Sequence, residues 1–248
     1  MLSIKNGLMI GVMLLVIAGC SSGANGASAT DSNGATAAQS TPPSDNSTTT
    51  TSTAATTTPD TNTMSSTTQT TNDNAGDPPK TGDDVAVITT NYGTIVFKFF
   101  PDKAPKSVAN FKKLADSKFY DGTKFHRVIP RFMIQGGDPN TKGSDRNTYG
   151  TGGPGWSVDA EFSDIKHVRG IVSMARSSDP NSAGSQFFIM VAPYPSLDGQ
   201  YSAFGHVVSG MDTVDKIVSL ERDDRDDPVI GKEAVMKTVR IEKWPVKG

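Results

Sequence analysis

Apolar and polar residues alternate in short runs along the C-terminal part of the chain, from about residue 83 onward, with Gly, Pro and Asn between the runs. This two-residue periodicity predicts β-strands. The predicted strands cover residues 85–89, 94–100, 125–129, 132–136, 168–175, 186–191, 203–208 and 235–244. Apolar residues spaced three and four apart predict two helices, at 107–118 and 211–220. The pattern favours a mainly β domain and leaves a barrel and a sandwich open.

The N-terminal residues follow a different pattern. Lys5 precedes an apolar run from Leu8 to Ala18, and the run ends at Gly19 and Cys20. A charged start, an apolar centre and an exit of small residues are typical of a secretory signal peptide. The apolar run is shorter than the roughly 20 residues that a membrane-spanning helix needs. Residues 1–19 are therefore predicted to be a signal peptide.

Residues 20–82 are predicted to be a disordered tether that begins at Cys20. They consist almost entirely of Ser, Thr, Ala, Asn, Gly, Asp and Pro, and so few apolar groups cannot offset the entropy of ordering the chain. About 60 flexible residues have a root-mean-square reach of about 40–45 Å. Residues 83–248 are predicted to be the folded domain.

Charge and composition exclude several functions. The formal net charge is −2, with acidic and basic residues intermixed, so no basic stripe is present to track nucleic acid. The single cysteine excludes an intrachain disulfide. The three histidines, His126, His167 and His206, do not have metal-binding spacing. The acidic residues between 223 and 227 alternate with arginines and precede a proline, which favours a solvated loop over a cation site.

The run from Phe125 to Asp138 contains the most specific candidate chemistry. Strand alternation predicts that Arg127 shares a face with Phe125 and Ile129, and that Met133 shares one with Gln135. His126 is predicted to point away from Arg127 and to be structural. The two segments together can hold an apolar ring and hydrogen-bond the peptide group beside it.

This run resembles the signature of the cyclophilins, a family of peptidyl-prolyl cis–trans isomerases. Further matching runs occur in the family's order at residues 170–176, 184–189 and 197–205, and the resemblance covers about residues 84 to 245. The loop at 150–155 and the pair Glu161–Phe162 are similar to the bacterial branch. The resemblance implies a closed eight-stranded antiparallel barrel capped by two α-helices, and an enzyme without cofactor or metal that acts on proline-containing polypeptides.

The resemblance also implies the residues of the site. Arg127 matches the catalytic arginine, which hydrogen-bonds near the prolyl nitrogen and favours the twisted amide. The residues that match substrate-binding positions are Phe132, Met133, Gln135, Ala175, Arg176, Gln186, Phe188, Leu197 and Tyr201. Among them, Phe132, Met133, Phe188 and Leu197 form the proline pocket. Gly152 and Gly153 match a loop beside the groove.

Two positions depart from the family pattern. Ser196 stands where many eukaryotic members have a tryptophan that helps to bind cyclosporin A, so weak sensitivity to that inhibitor is expected. Tyr201 stands at the position of the family's pocket histidine and can still supply an apolar wall and a hydroxyl group.

The segment Ile17-Ala18-Gly19-Cys20 resembles a bacterial lipobox. The similarity implies cleavage before Cys20 and lipid attachment to its sulfur. The expected protein is a monomeric, extracytoplasmic lipoprotein of the bacterial cell envelope, anchored to a membrane and assisting the folding of envelope or secreted proteins. An ordinary signal peptide with an incidental cysteine, and a retained helical anchor, are the alternatives.

Two other functions remain open at this stage. One is a cyclophilin-like module that binds proline segments as a chaperone without turnover. The other is a purely structural envelope protein, which explains the tether but gives the groove residues no purpose. The presence together of Arg127, Phe132, Met133, Gln135 and Phe188 favours the enzyme.

Overall fold

The computed structural model describes residues 77–247, and the predicted signal peptide and most of the predicted tether lie outside these residues. Within this range no helix has the length and apolar character needed to cross a bilayer. The strands are β1 (Asp84–Thr90), β2 (Thr94–Phe99), β3 (Lys124–Phe125), β4 (Arg127–Ile129), β5 (Met133–Gly136), β6 (Ile171–Met174), β7 (Phe187–Met190), β8 (Ala203–Ser209) and β9 (Ala234–Lys243). The helices are α1 (Pro105–Asp116) and α2 (Met211–Val218), and short 3₁₀ turns occur at Pro139–Lys142, Arg146–Thr148 and Pro195–Leu197.

All strand pairs are antiparallel, and the sheet has the order β3-β9-β1-β2-β8-β6-β7-β5-β4. The strands at its two ends, β3 and β4, are consecutive in the chain and separated only by His126. The backbone N–H of His126 donates to the carbonyl of Gln135 on β5, 3.0 Å away. The sheet therefore curls into a nearly closed barrel, and β3 and β4 counted as one bent strand give the expected eight. The predicted fold is confirmed.

The barrel core is aromatic. Phe97, Phe111, Phe187 and Phe204 are all fully buried. Phe97 meets Phe111 and Phe204 edge to face at 5.2 and 5.9 Å between ring centroids, and Phe111 meets Phe187 in the same way at 5.5 Å. Such contacts add to the stabilisation from burial alone. Packing in this core holds the strands of the barrel in place relative to one another.

Helix α1 presents the predicted apolar face to the core but begins two residues earlier than predicted. Pro105 occupies its first turn, where the missing N–H has no cost. No side chain of the preceding residue caps the helix. Instead the distant Glu161 carboxylate accepts the backbone N–H groups of Lys106 and Ser107, both at 2.8 Å. The loop containing Glu161 is thereby joined to the helix.

Strand β6 is shorter than the predicted strand at 168–175. Gly170, directly before it, has a positive φ of 89°. A Cβ at this position would lie 2.9 Å from the ring Nε2 of His206. The backbone at Gly170 adopts a turn that favours glycine and passes close to the His206 ring. Regular strand pairing therefore begins only at Ile171.

Candidate active site

A cavity of about 300 Å³ opens beside β4, β5 and β7. Nine of the ten predicted groove residues line it: Arg127, Phe132, Met133, Gln135, Ala175, Arg176, Phe188, Leu197 and Tyr201. The tenth, Gln186, lines a neighbouring cavity of about 440 Å³. Residues that lie up to 74 positions apart in sequence therefore surround one concave surface, which is the usual form of a ligand site.

The floor of the cavity is apolar. Met133 and Phe188 are almost fully buried and belong to a small hydrophobic cluster, separate from the barrel core, against which Phe132, Leu197 and Tyr201 pack. Tyr201 meets Phe188 edge to face at 5.6 Å. Phe132 is half-buried, with its ring 4.5 Å from that of Tyr194. The resulting surface can accept an apolar ring of proline size.

Arg127 lies opposite Gln135 in the register of β4 and β5. Both side chains are half-buried and line the cavity. Among residues 77–247 the salt bridges made by arginines involve other arginines, and Arg127 is in none of them. A guanidinium without a carboxylate partner retains its charge and its donors for a ligand.

Two glutamine side chains connect the strands to a glycine-rich loop. Gln135 Nε2 donates to Gln186 Oε1 at 3.0 Å, and Gln186 Nε2 donates to the carbonyls of Gly150 and Gly152 at 2.9 Å each. A Cβ at Gly152 would lie only 2.1 Å from an oxygen of the buried Asp138, so the loop can approach this closely only with glycine. Gln186 thus positions the loop while Gln135 reaches the groove.

The prediction for His126 and its neighbours is wrong in two respects. The strand is interrupted at His126, so Phe125 packs in the barrel core while Arg127 faces the cavity. His126 also lines the cavity, although it is only 5% exposed. Neither ring nitrogen has a hydrogen-bond partner of good geometry within the described protein, although the backbone of Lys124 lies close enough to favour the protonated ring. Burial lowers the pKa of His126 below its ordinary value, which favours the neutral ring.

A hydrogen-bonded array that the sequence did not reveal lies behind Phe188. His167 is 1% exposed, with its ring stacked on Phe188 at 6.1 Å between centroids. Its Nε2 lies 2.9 Å from Ser173 Oγ and its Nδ1 lies 3.3 Å from Asp198 Oδ1. Burial lowers the pKa of His167, and Asp198 opposes that shift. Because Ser173 is fully buried, the array supports the pocket wall and does not reach a substrate.

The acidic segment at 223–227 also differs from the expected solvated loop. Asp227 is only 4% exposed and lines the cavity. Arg146 Nη2 lies 2.8 Å from Asp227 Oδ2 and 3.0 Å from Asp223 Oδ2. Asp227 Oδ2 has no hydrogen-bond partner within the described residues, so its contact with Arg146 is an ion pair only. Burial raises the pKa of Asp227 to about 6 although Arg146 opposes the shift.

The arrangement can bind and polarise, and it has no metal cluster in the part of the chain that the structure covers. Sequence reasoning missed the supporting residues because their roles depend on contacts across the fold. Asp198 lies within a motif run at 197–205, and this was the one available signal for it.

Comparison with known proteins identifies the cyclophilin family, both by a family model and by individual relatives. The model of the family described as "Cyclophilin type peptidyl-prolyl cis-trans isomerase/CLD" matches residues 85–246. A probable peptidyl-prolyl cis–trans isomerase of Brucella suis is 49% identical over 148 residues, which are 58% of this chain and 74% of that protein. A peptidyl-prolyl cis–trans isomerase of Synechococcus elongatus is 44% identical over 144 residues, covering 55% of this chain and 94% of that one.

Solved structures agree with these relatives. The crystal structure of a Cryptosporidium parvum cyclophilin-type isomerase in the presence of the dipeptide Ala-Pro has a TM-score of 0.58 and 36% identity, covering 64% of this chain and 99% of that one. A cyclophilin from Hirschia baltica has a TM-score of 0.53 and 27% identity, covering 63% and 73% of the two chains.

Proposed function

The chain belongs to the cyclophilin-type peptidyl-prolyl cis–trans isomerase family, and we propose that it isomerises X-Pro bonds in the groove described above, with Arg127 as the catalytic residue. The observation that carries this assignment is the position of Arg127. Its guanidinium, which forms no salt bridge within residues 77–247, faces the cavity directly across from Gln135, beside an apolar pocket of proline size.

The groove residues suit the physical demands of this reaction. Rotation about the peptide bond has a barrier of about 18–20 kcal/mol because it breaks amide resonance. The prolyl ring occupies the pocket formed by Phe132, Met133 and Phe188. The Arg127 guanidinium then donates toward the prolyl nitrogen, whose lone pair is localised in the twisted state. An interaction that is strongest in that state lowers the barrier without making or breaking a covalent bond.

The remaining residues hold the substrate backbone on either side of the ring. Gln135 offers an amide beside Arg127, and Ala175 lies at the rim of the same cavity. The Ala175 N–H already donates to the Gln186 carbonyl, which leaves the Ala175 carbonyl to accept from a substrate N–H. Leu197 and Tyr201 complete the apolar wall.

The test compares the full-length protein with Arg127→Ala, using NMR exchange on an Ala-Pro peptide. Loss of one preorganised donor of this kind costs about 10²–10³ in rate, and we expect a decrease of that size. Arg131→Ala is the matched control, because Arg131 is an exposed arginine in the turn of the same hairpin. We expect the control to retain activity.

Two results would contradict the assignment. A folded Arg127→Ala variant with wild-type turnover would exclude the catalytic role of that residue. A folded wild-type protein that binds the peptide without accelerating its exchange would instead indicate the chaperone-like binding module.

We further propose that the protein is a lipoprotein of the bacterial cell envelope and acts on the X-Pro bonds of extracytoplasmic proteins during their folding. The support is the lipobox-like segment ending at Cys20 and the polar segment that follows it. Cys20 is the only cysteine, so it can be tested without ambiguity. Cells fed an alkyne-tagged palmitate should label the wild-type protein in the membrane fraction, whereas Cys20→Ser should lose both label and membrane association. Labelling that persists in Cys20→Ser would refute lipidation at the sulfur.

The folding role has a separate test. The purified protein should accelerate the slow, proline-limited refolding phase of a secreted protein with a native cis X-Pro bond, and Arg127→Ala should not. Equal acceleration by both proteins would show that the effect is not isomerisation.

A further inference from the structure

The charges around the groove are distributed unevenly. Four arginines and one aspartate line the main cavity. At one end Arg146 contacts both Asp223 and Asp227 within 3.0 Å, and Arg225 lies 3.7 Å from Asp223. The two cations at this end are therefore balanced by two carboxylates. A charged substrate residue would find little net field there.

Arg176 is in a different situation. It is half-buried, and no carboxylate within the described residues forms a salt bridge with it. Its guanidinium donates to the backbone carbonyls of Gln200, Ser177 and Ser178. It also lies over the ring of Tyr201, 4.7 Å from the centroid. Neutral carbonyls and a ring face fix its position without cancelling its charge, so the cation is preorganised.

Arg176 lies where the two cavities adjoin, because it lines both of them. The second cavity is lined by glycines, by hydroxyl groups such as those of Thr151, Ser177 and Ser182, and by the amides of the two glutamines. Among the described residues that line this second cavity, Arg176 is the only charged one. A side chain that enters from the proline pocket toward the second cavity therefore meets one fixed positive charge among neutral polar groups.

From this arrangement we propose that the enzyme prefers proline segments with an acidic side chain directly before proline, and that Arg176 selects for it. The inference rests on the proposed groove, in which the prolyl ring lies on Phe188 and the preceding residues run past Ala175. A carboxylate there gains an ion pair with a cation already held in place. A half-exposed ion pair corresponds to roughly a two- to fivefold preference.

The experiment measures isomerisation by the full-length protein on paired peptides. The first pair carries Glu or Gln directly before proline, and the second carries the same residues directly after it. Each catalysed rate is divided by the uncatalysed rate of the same peptide. We expect kcat/KM to favour Glu over Gln roughly two- to fivefold in the first pair only. The preference should decline toward one in about 1 M salt, where the screening length is only about 3 Å.

Variants identify the residue responsible. Arg176→Gln should lower the Glu/Gln ratio to about one, whatever its effect on the absolute rates, and Arg176→Lys should keep part of the preference because it keeps the charge. Arg225→Gln removes one guanidinium from the opposite end of the same cavity and should leave the Glu/Gln ratio as in the wild type. Equal rates for Glu and Gln, a preference only after proline, or a ratio that falls in Arg225→Gln would each overturn the proposal. Absence of turnover with all peptides would instead refute the proposed function.

Discussion

Two buried histidines border the same groove and differ in how their ring nitrogens are satisfied. His167, behind Phe188, has Ser173 on one nitrogen and Asp198 on the other. His126, next to Arg127, has no hydrogen-bond partner on either nitrogen within the described chain. Both are at most 5% exposed, and burial lowers the pKa of both. The difference therefore lies in their partners and not in their depth.

The two histidine sites should respond differently to substitution. A satisfied buried network holds its members in one arrangement, and losing one member leaves the others unpaired. An unsatisfied buried polar group costs about 1–3 kcal/mol, and its removal releases that cost. The wall formed by His167 should therefore be sensitive to substitution. The end of the groove that contains His126 and Asp227 should be tolerant in stability.

The largest effect is expected from His167→Leu. The substitution leaves the buried Ser173 hydroxyl without its partner and removes one hydrogen bond from Asp198. We expect the free energy of unfolding to fall by roughly 2–4 kcal/mol, and turnover to fall because Phe188 loses the ring stacked on it. Urea titration followed by tryptophan fluorescence measures the stability. A loss below about 0.5 kcal/mol would mean that the network does not support the wall.

A smaller effect, with a distinctive pH dependence, is expected from Asp227→Asn. Because burial raises the pKa of Asp227 to about 6 from an ordinary value of 3.8, the folded protein retains the proton more readily than the unfolded chain. This group's contribution to stability is therefore greatest below about pH 4 and decreases as pH rises to about 6, by up to roughly 2–3 kcal/mol.

The Asn variant should lack that slope and should be at least as stable as the wild type at pH 7. Arg146 retains Asp223 and the carbonyl of Pro228 as partners. Urea titrations of both proteins at pH 4, 5, 6 and 7 test this. A loss of more than about 1 kcal/mol at pH 7 would show that the ion pair with Arg146 outweighs the burial cost.

The smallest effect is expected from His126→Leu. It is the same substitution as His167→Leu, made at the histidine without hydrogen-bond partners in the described chain. Leucine has a volume similar to that of histidine and lacks the two ring nitrogens, which have no partner within the described residues. We expect the free energy of unfolding at pH 8 to rise by no more than about 1 kcal/mol. The lowered pKa of His126 means that wild-type stability falls as pH decreases below about 6.5. The variant should lose less stability between pH 7 and pH 5. Equal losses of unfolding free energy in His126→Leu and His167→Leu at pH 8 would show that hydrogen-bond partners do not distinguish the two histidines.

Local pattern predicted much of this molecule, and contacts across the fold account for what it missed. Alternation placed every strand within a few residues, and the motif runs placed nine groove residues around one cavity. Alternation failed at His126, because the strand bends there to close the barrel. It could not show that Glu161 caps α1, or that Asp227 is buried against Arg146. Those contacts join segments more than 50 residues apart, and no local periodicity encodes them.

The closure of the sheet also limits the addition of other extended chains to its edges. Extended polypeptides add readily to exposed sheet edges, and uncontrolled addition leads to aggregation. In this barrel the end strands β3 and β4 have only two and three residues, and the N–H of Val128 on β4 already donates to the carbonyl of Asp226 at 2.7 Å. So short and covered an edge is a poor template for a further strand.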